Sequence, residues 1–357
     1  MAFMNFEGDD IVSGNILTGV TSTAFSNSSG SLTAWHTHST QTSSAAGTYH
    51  WDLYDLNSSN TAAEVQFGIA YGHRLGSGSA RQTGASTGIA PTKAVYSQFR
   101  NLLLDDSAET TQFGFGDNTF SDRMYFITMN RARYKQGVNA GNWEFHLSSS
   151  AGHHTASVVK VIDDSSTSNG NTINGHLVYN IVSGSEDDGV YTDGSSNNHY
   201  WGKFYPELGI FALNGDRVIS GSGAPGAITH GLDLNGKVAT TANNGLTSNG
   251  YDQMNGRLYD AINRGKYFAL RAEEDVTSTH YFVRAKNQHF NYSTNPTYQS
   301  GSNGQLRHTM FIGNPQTYIT TIGLYDDGNN LIAVAKLSKP LLKNFERETT
   351  VRVKLDY

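Results

Sequence analysis

The chain has 357 residues, with 38 glycines, 19 tyrosines, 17 phenylalanines, no cysteine and only 16% charged side chains. That length allows one large or two ordinary domains with sizeable cores, and the spread of aromatics argues against disorder. A net charge of −6 leaves no basic footprint for nucleic acid, and the lack of cysteine excludes disulfides and thiolate metal sites.

Plentiful Gly, Ser, Thr and Asn with so many aromatics predicts a mainly β protein, with antiparallel sandwich or jelly-roll-like sheets and two short helices. Residues 1–34 are polar with scattered apolar positions and read as short strands or an extended arm, either packed on a neighbouring subunit or forming an ordinary edge. TYHWDLYDL and AEVQFGIAYGH, separated by Asn57-Ser58-Ser59-Asn60, predict a hairpin over 48–73. The glycine-rich 74–90 stretch reads as a loop. Pro91 opens the first helix, about 91–104, because proline's missing N–H costs nothing in the first turn. Val95, Phe99, Leu102 and Leu103 then form its apolar face, with Tyr96 beside them.

Strand character returns at FGFGD and MYFITMNRARY within 111–134, where the alternation places the arginines on one face. WEFHLSSS (143–150), ASVVKVID (156–163) and HLVYNIVSG (176–184) follow as further strands. The polar 183–199 stretch reads as a linker or long loop, which divides the chain into domains 1–200 and 201–357. GIFALNG (209–215) reads as a strand with an Asn-Gly turn, and 220–250 as loop. The second helix, about 251–264, carries Met254, Leu258 and Ile262 at i, i+4 and i+8, with Gly265 as its stop. Beyond YFALRAEEDV and HYFVRAKNQHFNYS, three alternating runs over 318–357 predict an antiparallel meander. Leu331–Leu337 is its central strand and Pro340 lies between strands.

Groups with possible chemistry have plain alternatives. His36-x-His38 puts two imidazoles on one strand face, an arrangement suited to zinc or iron, though Thr and Ser neighbours without a carboxylate favour hydrogen-bonded histidines. His153 and His154 would point to opposite faces. Gly231–Val238 approaches the phosphate-binding loop but has Val238 where a hydroxyl would hold magnesium, and the Gly-Ser run at 76–79 lacks the dinucleotide spacing. Glu186, Asp187, Asp188 and Asp193 offer oxygens without calcium-loop spacing, and Glu273-Glu274-Asp275 offers paired carboxylates of the glycosidase kind or simply a solvated strand end. Trp35, Trp51, Trp143 and Trp201 suit either a sugar-stacking platform or a β core. On these residues alone no catalytic residue, cofactor or metal is assigned. There is no apolar run of membrane-spanning length and no basic secretory leader.

YITTIGLYDDGNNLIAVAKL at 318–337 resembles a module of tailed-phage tail proteins, in which IT-x-IGLYD precedes a short turn and LIAVAK. With FNYSTNP at 290–296, FIGNPQTYITTIGLYDD at 311–327 and KNFERETTVRVKLDY at 343–357, the stretch 290–357 resembles virion structural proteins of T-even-like contractile-tailed phages, notably those of marine cyanobacteria. FYPELGIFALNG (204–215) and IAYGHRLGSGS (69–79) carry shorter resemblances. The resemblance implies a non-enzymatic tail, baseplate or fibre-attachment subunit. It would be made in the host cytoplasm, assembled into the virion, partnered by other tail proteins and by copies of itself, and independent of nucleic acid or membrane insertion. The alternatives are a receptor- or polysaccharide-binding tail adhesin and a head or neck decoration protein.

Overall fold

The computed structural model describes residues 4–12, 18–25, 30–37, 49–57, 59–76, 90–148, 158–191, 200–219 and 254–356. Their main elements are β1 (Trp51–Tyr54), β2 (Val65–His73), α1 (Ala90–Leu103), β3 (Arg123–Met129), β4 (Gly137–Ser148), β5 (Val158–Asp163), β6 (His176–Ser185), β7 (Tyr200–Tyr205) and β8 (Ile210–Asn214). Then come α2 (Gly215–Ile219), α3 (Met254–Gly265), β9 (Phe268–Val276), β10 (Ser278–Ala285), β11 (Thr317–Tyr325), β12 (Leu331–Lys343) and β13 (Thr349–Asp356). The fold is mainly β and its sheets are antiparallel, as the composition predicts.

Contacts group the chain into Val20–Glu274 and a second unit made of Met1–Gly19 with Asp275–Tyr357. The division expected near residue 200 falls inside the first unit's sheet, where Tyr179 of β6 pairs with Phe204 of β7. The linker expected over 183–199 begins as the end of β6 and a turn whose Gly184 and Ser185 pair with Val190 and Gly189; residues 192–199 lie outside the described set.

Fourteen strands form the sheet of the first unit, in the order Thr18–Thr23, β9, β4, β5, β6, β7, β8, β3, β2, β1 and His36–Thr37, with three short strands off this path. Laid flat, the seven steps from β9 to β2 would span about 34 Å. Yet Phe268 of β9 lies 5.4 Å, centroid to centroid, from Phe67 of β2, and it also touches Phe25, Phe145 and Phe211. The sheet therefore curls over so that its two halves face each other across one core.

Strand alternation sorts the side chains. Along β3, Tyr125, Ile127 and Met129 point into the curl, while Met124 and Phe126 point out. Met254, Leu258 and Ile262 of α3 are fully buried in the inner core, as their spacing predicts. Gly265 ends that helix against β4, where an added Cβ would lie 2.1 Å from the His146 carbonyl. Helix α1 covers the outer face, with Phe99 stacked on Phe126 at 3.9 Å. Its backbone comes close enough that a Cβ on Gly72 would meet the Tyr96 amide at 2.8 Å. Leu102 departs from expectation and is exposed, being one residue and so about 100° round the helix from buried Leu103.

Other local expectations also change. The predicted 48–73 hairpin forms, with Trp51 opposite Ile69. The arginine run does not extend β3: Arg131–Arg133 make one 3₁₀ turn, which the Asn130 side chain caps by accepting from Ala132 N–H. Asn214-Gly215 starts α2 instead of a hairpin, because Asn214 Oδ1 accepts from the amides of Asp216 and Arg217.

In the second unit the three-stranded meander is not formed. β11 pairs with β12, whereas β13 pairs along its whole length with β10, whose other side carries Ile11–Val12. Period-two alternation specifies a buried face but not a neighbour, and both partners satisfy it. Pro340 lies inside β12 and not between strands. It falls in a bulge, since Ile319 faces Leu341 while Thr321 faces Lys336, so the missing N–H removes no ladder bond.

Phe268→Ala should cost about 3–5 kcal/mol in urea denaturation, as large-to-small core changes do. Leu102→Ala should stay within about 0.5 kcal/mol; equal losses would contradict this placement of the core.

Candidate functional site

The residues singled out in the sequence do not converge. His36 is half-buried and pairs with Tyr54, while His38, His153, His154, Asp193 and Gly231–Val238 lie outside the described residues. Of the Gly-Ser run at 76–79, only Gly76 is described. Among the described residues no cluster of three or more His, Asp or Glu is placed to hold a metal ion, and no helix is long and apolar enough to cross a membrane. Glu273 accepts from Asn139 Nδ2 at 2.7 Å, and Glu274 pairs with Lys135, so these two carboxylates brace the strand end they sit on. The four tryptophans are at most 2% exposed and belong to the inner core, which withdraws the sugar-stacking platform built on them.

Two polar clusters that strand patterning hides are assembled by the fold. Glu144 and His146, two apart on β4, share the face opposite Trp143, Phe145 and Leu147. Glu144 Oε1 meets His146 Nε2 and lies 3.9 Å from Lys160 Nζ on β5, while Oε2 accepts from the Glu186 amide at 2.8 Å. His146 rests against the Tyr267 ring. Burial, and then the Glu144 charge, push the Glu186 carboxyl above its ordinary value. With both oxygens of Glu144 committed, the cluster ties β4, β5 and the turn after β6 together. The alternation of WEFHL gave its only trace in the sequence.

The second cluster lies at the ends of β2, β3 and β8. Arg74 Nε donates to Asp122 Oδ1 at 2.5 Å, and Gln112 Nε2 donates to the same oxygen at 2.6 Å. Burial works to raise the Asp122 carboxyl, but these hydrogen bonds outweigh it and hold it below its ordinary value. His73 Nδ1 accepts from the Leu75 amide. Burial first, then the Arg123 charge, depress this imidazole. The buried Arg217 guanidinium pairs with Asp117, and Asp216 accepts from Ser121 Oγ at 2.6 Å. Acid and base alternate here in matched pairs, so the arrangement pins strand ends to α2.

The second unit has a different surface. The two buried hydrophobic clusters contain none of its residues. Its β11–β12 ribbon exposes Tyr318 (63%), Leu331, Ile332 (65%) and Val334. The fixed point of the unit is Lys343, fully buried, whose ammonium donates to Asn287 O at 2.8 Å, Asn291 Oδ1 at 2.9 Å and Asn344 O at 2.9 Å. Three acceptors use every proton of the cation. The exposed apolar ribbon braced by this lysine is the candidate functional surface. Comparison with protein-family models, curated proteins and solved structures finds no match for this chain.

Lys343→Met should leave the buried Asn291 side-chain oxygen and the Asn287 and Asn344 carbonyls without this donor and cost about 3 kcal/mol, with faster hydrogen exchange over 286–292; unchanged exchange there would refute the bracing role. On acidification, stability should fall in two stages. Below 6.5 the unfolded chain takes up a proton that the depressed His73 refuses. Below 3.8 the Asp122 contribution is lost as pH falls through that group's lower folded value. His73→Gln should shrink the upper stage alone in urea midpoints measured against pH.

Proposed function

We propose that this chain is a non-enzymatic structural subunit of a tailed-phage virion, in the tail baseplate or at a fibre attachment. The observation that carries the reading is the contrast between the two units. Val20–Glu274 buries most of its aromatics in two clusters and exposes others singly, such as Phe120 and Tyr191, whereas the unit containing 275–357 turns Tyr318, Leu331, Ile332 and Val334 outward together on one ribbon. Apolar side chains held outward on ordered strands suit a surface that other subunits cover. That same unit contains the 290–357 stretch resembling tail proteins. The work such a subunit does is mechanical, through interface area, and obligate interfaces commonly bury more than about 2,000 Å².

The adhesin alternative gains nothing from the tryptophans, all of which are internal. Head or neck decoration would use the same surfaces elsewhere on the particle. Immunogold electron microscopy of purified particles, with mass spectrometry of their proteins, should find the chain in the particle and label the tail end. Its absence from particles would overturn the proposal, and label on the head would move it to the decoration class.

A further inference from the structure

The β11–β12 ribbon is a two-stranded sheet with no third strand among the described residues. An isolated two-stranded ribbon is marginal in water, and a third strand or a covering layer is what normally makes one independently stable. Its two outer edges are built differently. β12 carries Lys336, Lys339 and Pro340, and both register irregularities place their extra residues on it: Ile319–Thr321 spans Leu341–Lys336, and Leu324–Tyr325 spans Ala333–Leu331. Edge lysines, proline and bulges are the devices that block strand addition. β11 has none of them. Thr317–Tyr325 is nine residues without a charge or a proline, and Tyr318, Thr320, Thr321 and Gly323 are exposed.

We infer that the open edge of β11 pairs antiparallel with β11 of a second copy of this chain, giving a four-stranded sheet across a two-fold axis. The charge pattern selects the occupant. Full overlap of the nine residues sets Thr321 opposite Thr321, Thr320 opposite Ile322 and Tyr318 opposite Leu324, so no charge meets its like. The other long strands of this unit do not allow that. The edge of β12 is already blocked by Lys339, Pro340 and its bulges, and self-pairing of β13 about Val353 sets Arg352 of each copy opposite Lys354 of the other. A two-fold contact also closes on itself, so the edge is consumed and no fibre follows. The inference does not rest on the virion reading, since loss of the particle assignment would leave this edge unchanged.

The test uses the full chain. Light scattering after size exclusion should give the mass of two chains for the wild type. Thr321→Glu should give the mass of one chain with an unchanged circular dichroism spectrum, because within its own ribbon the new carboxylate faces Lys336, while across the axis it faces itself. Because the chain has no cysteine, Thr321→Cys should form an intermolecular disulfide in air, and Thr350→Cys on exposed β13 should form far less. A single-chain mass for the wild type, a two-chain mass for Thr321→Glu, or equal cross-linking of the two cysteine variants would each overturn the inference.

Discussion

The first unit depends on one constraint: a large antiparallel sheet with apolar residues on both faces must cover both. The curl solves this for the inner face by bringing Phe268, Phe67, Phe145 and Phe211 into one cluster from strands far apart in the sheet order. The contacts there are edge-on and tilted, since each ring can offer its edge to another's face. α3 fills the inside, and α1 lies on the outer face against Phe126. The close approach at Gly72 follows from the same requirement, since a helix that must seal a sheet face needs a residue without a side chain beneath it.

Polar residues in this unit keep the curl in register. Glu144 joins neighbouring strands on the outer face. Asp163 accepts from the Gly141 amide at 2.8 Å, and Asp164 accepts from the Asn180 amide at 2.9 Å. Each of these buried carboxylates accepts from at least one backbone N–H of another segment, which compensates for part of its desolvation and ties one strand to the next. They organise the sheet, and their burial in hydrogen-bonded seams separates them from the exposed apolar ribbon of the other unit.

Element type was legible in the sequence; neighbour identity was not. Alternation marked almost every strand, and 3.6-residue spacing marked α1 and α3, because those periods follow from backbone geometry alone. The meander at the carboxyl end failed because alternation in β13 fits β10 as well as β12. Asn214-Gly215 looked like a hairpin turn, but the Asn side chain had amides of a following helical turn to accept from. The tryptophans were legible as aromatic wealth, while their inward direction depended on which way the sheet curled. The Arg74, Asp122 and Asp216 cluster had no local signature, since its members come from separate strand ends. The exposure of the ribbon was hidden by its own composition: Leu331–Leu337 reads as interior from its residues and lies outside because β13 pairs elsewhere.

Synthesis order adds a consequence. Ile11 pairs with Tyr281 and Asp10 with Arg284, so the Ile11–Val12 strand leaves the ribosome about 270 residues before its partner. At roughly 5–20 residues per second that is a wait on the order of tens of seconds. Every strand on the path of the curled sheet is made within that interval. The body between the two paired strands can therefore close first, and Ile11–Val12 is captured only after β10 has been made.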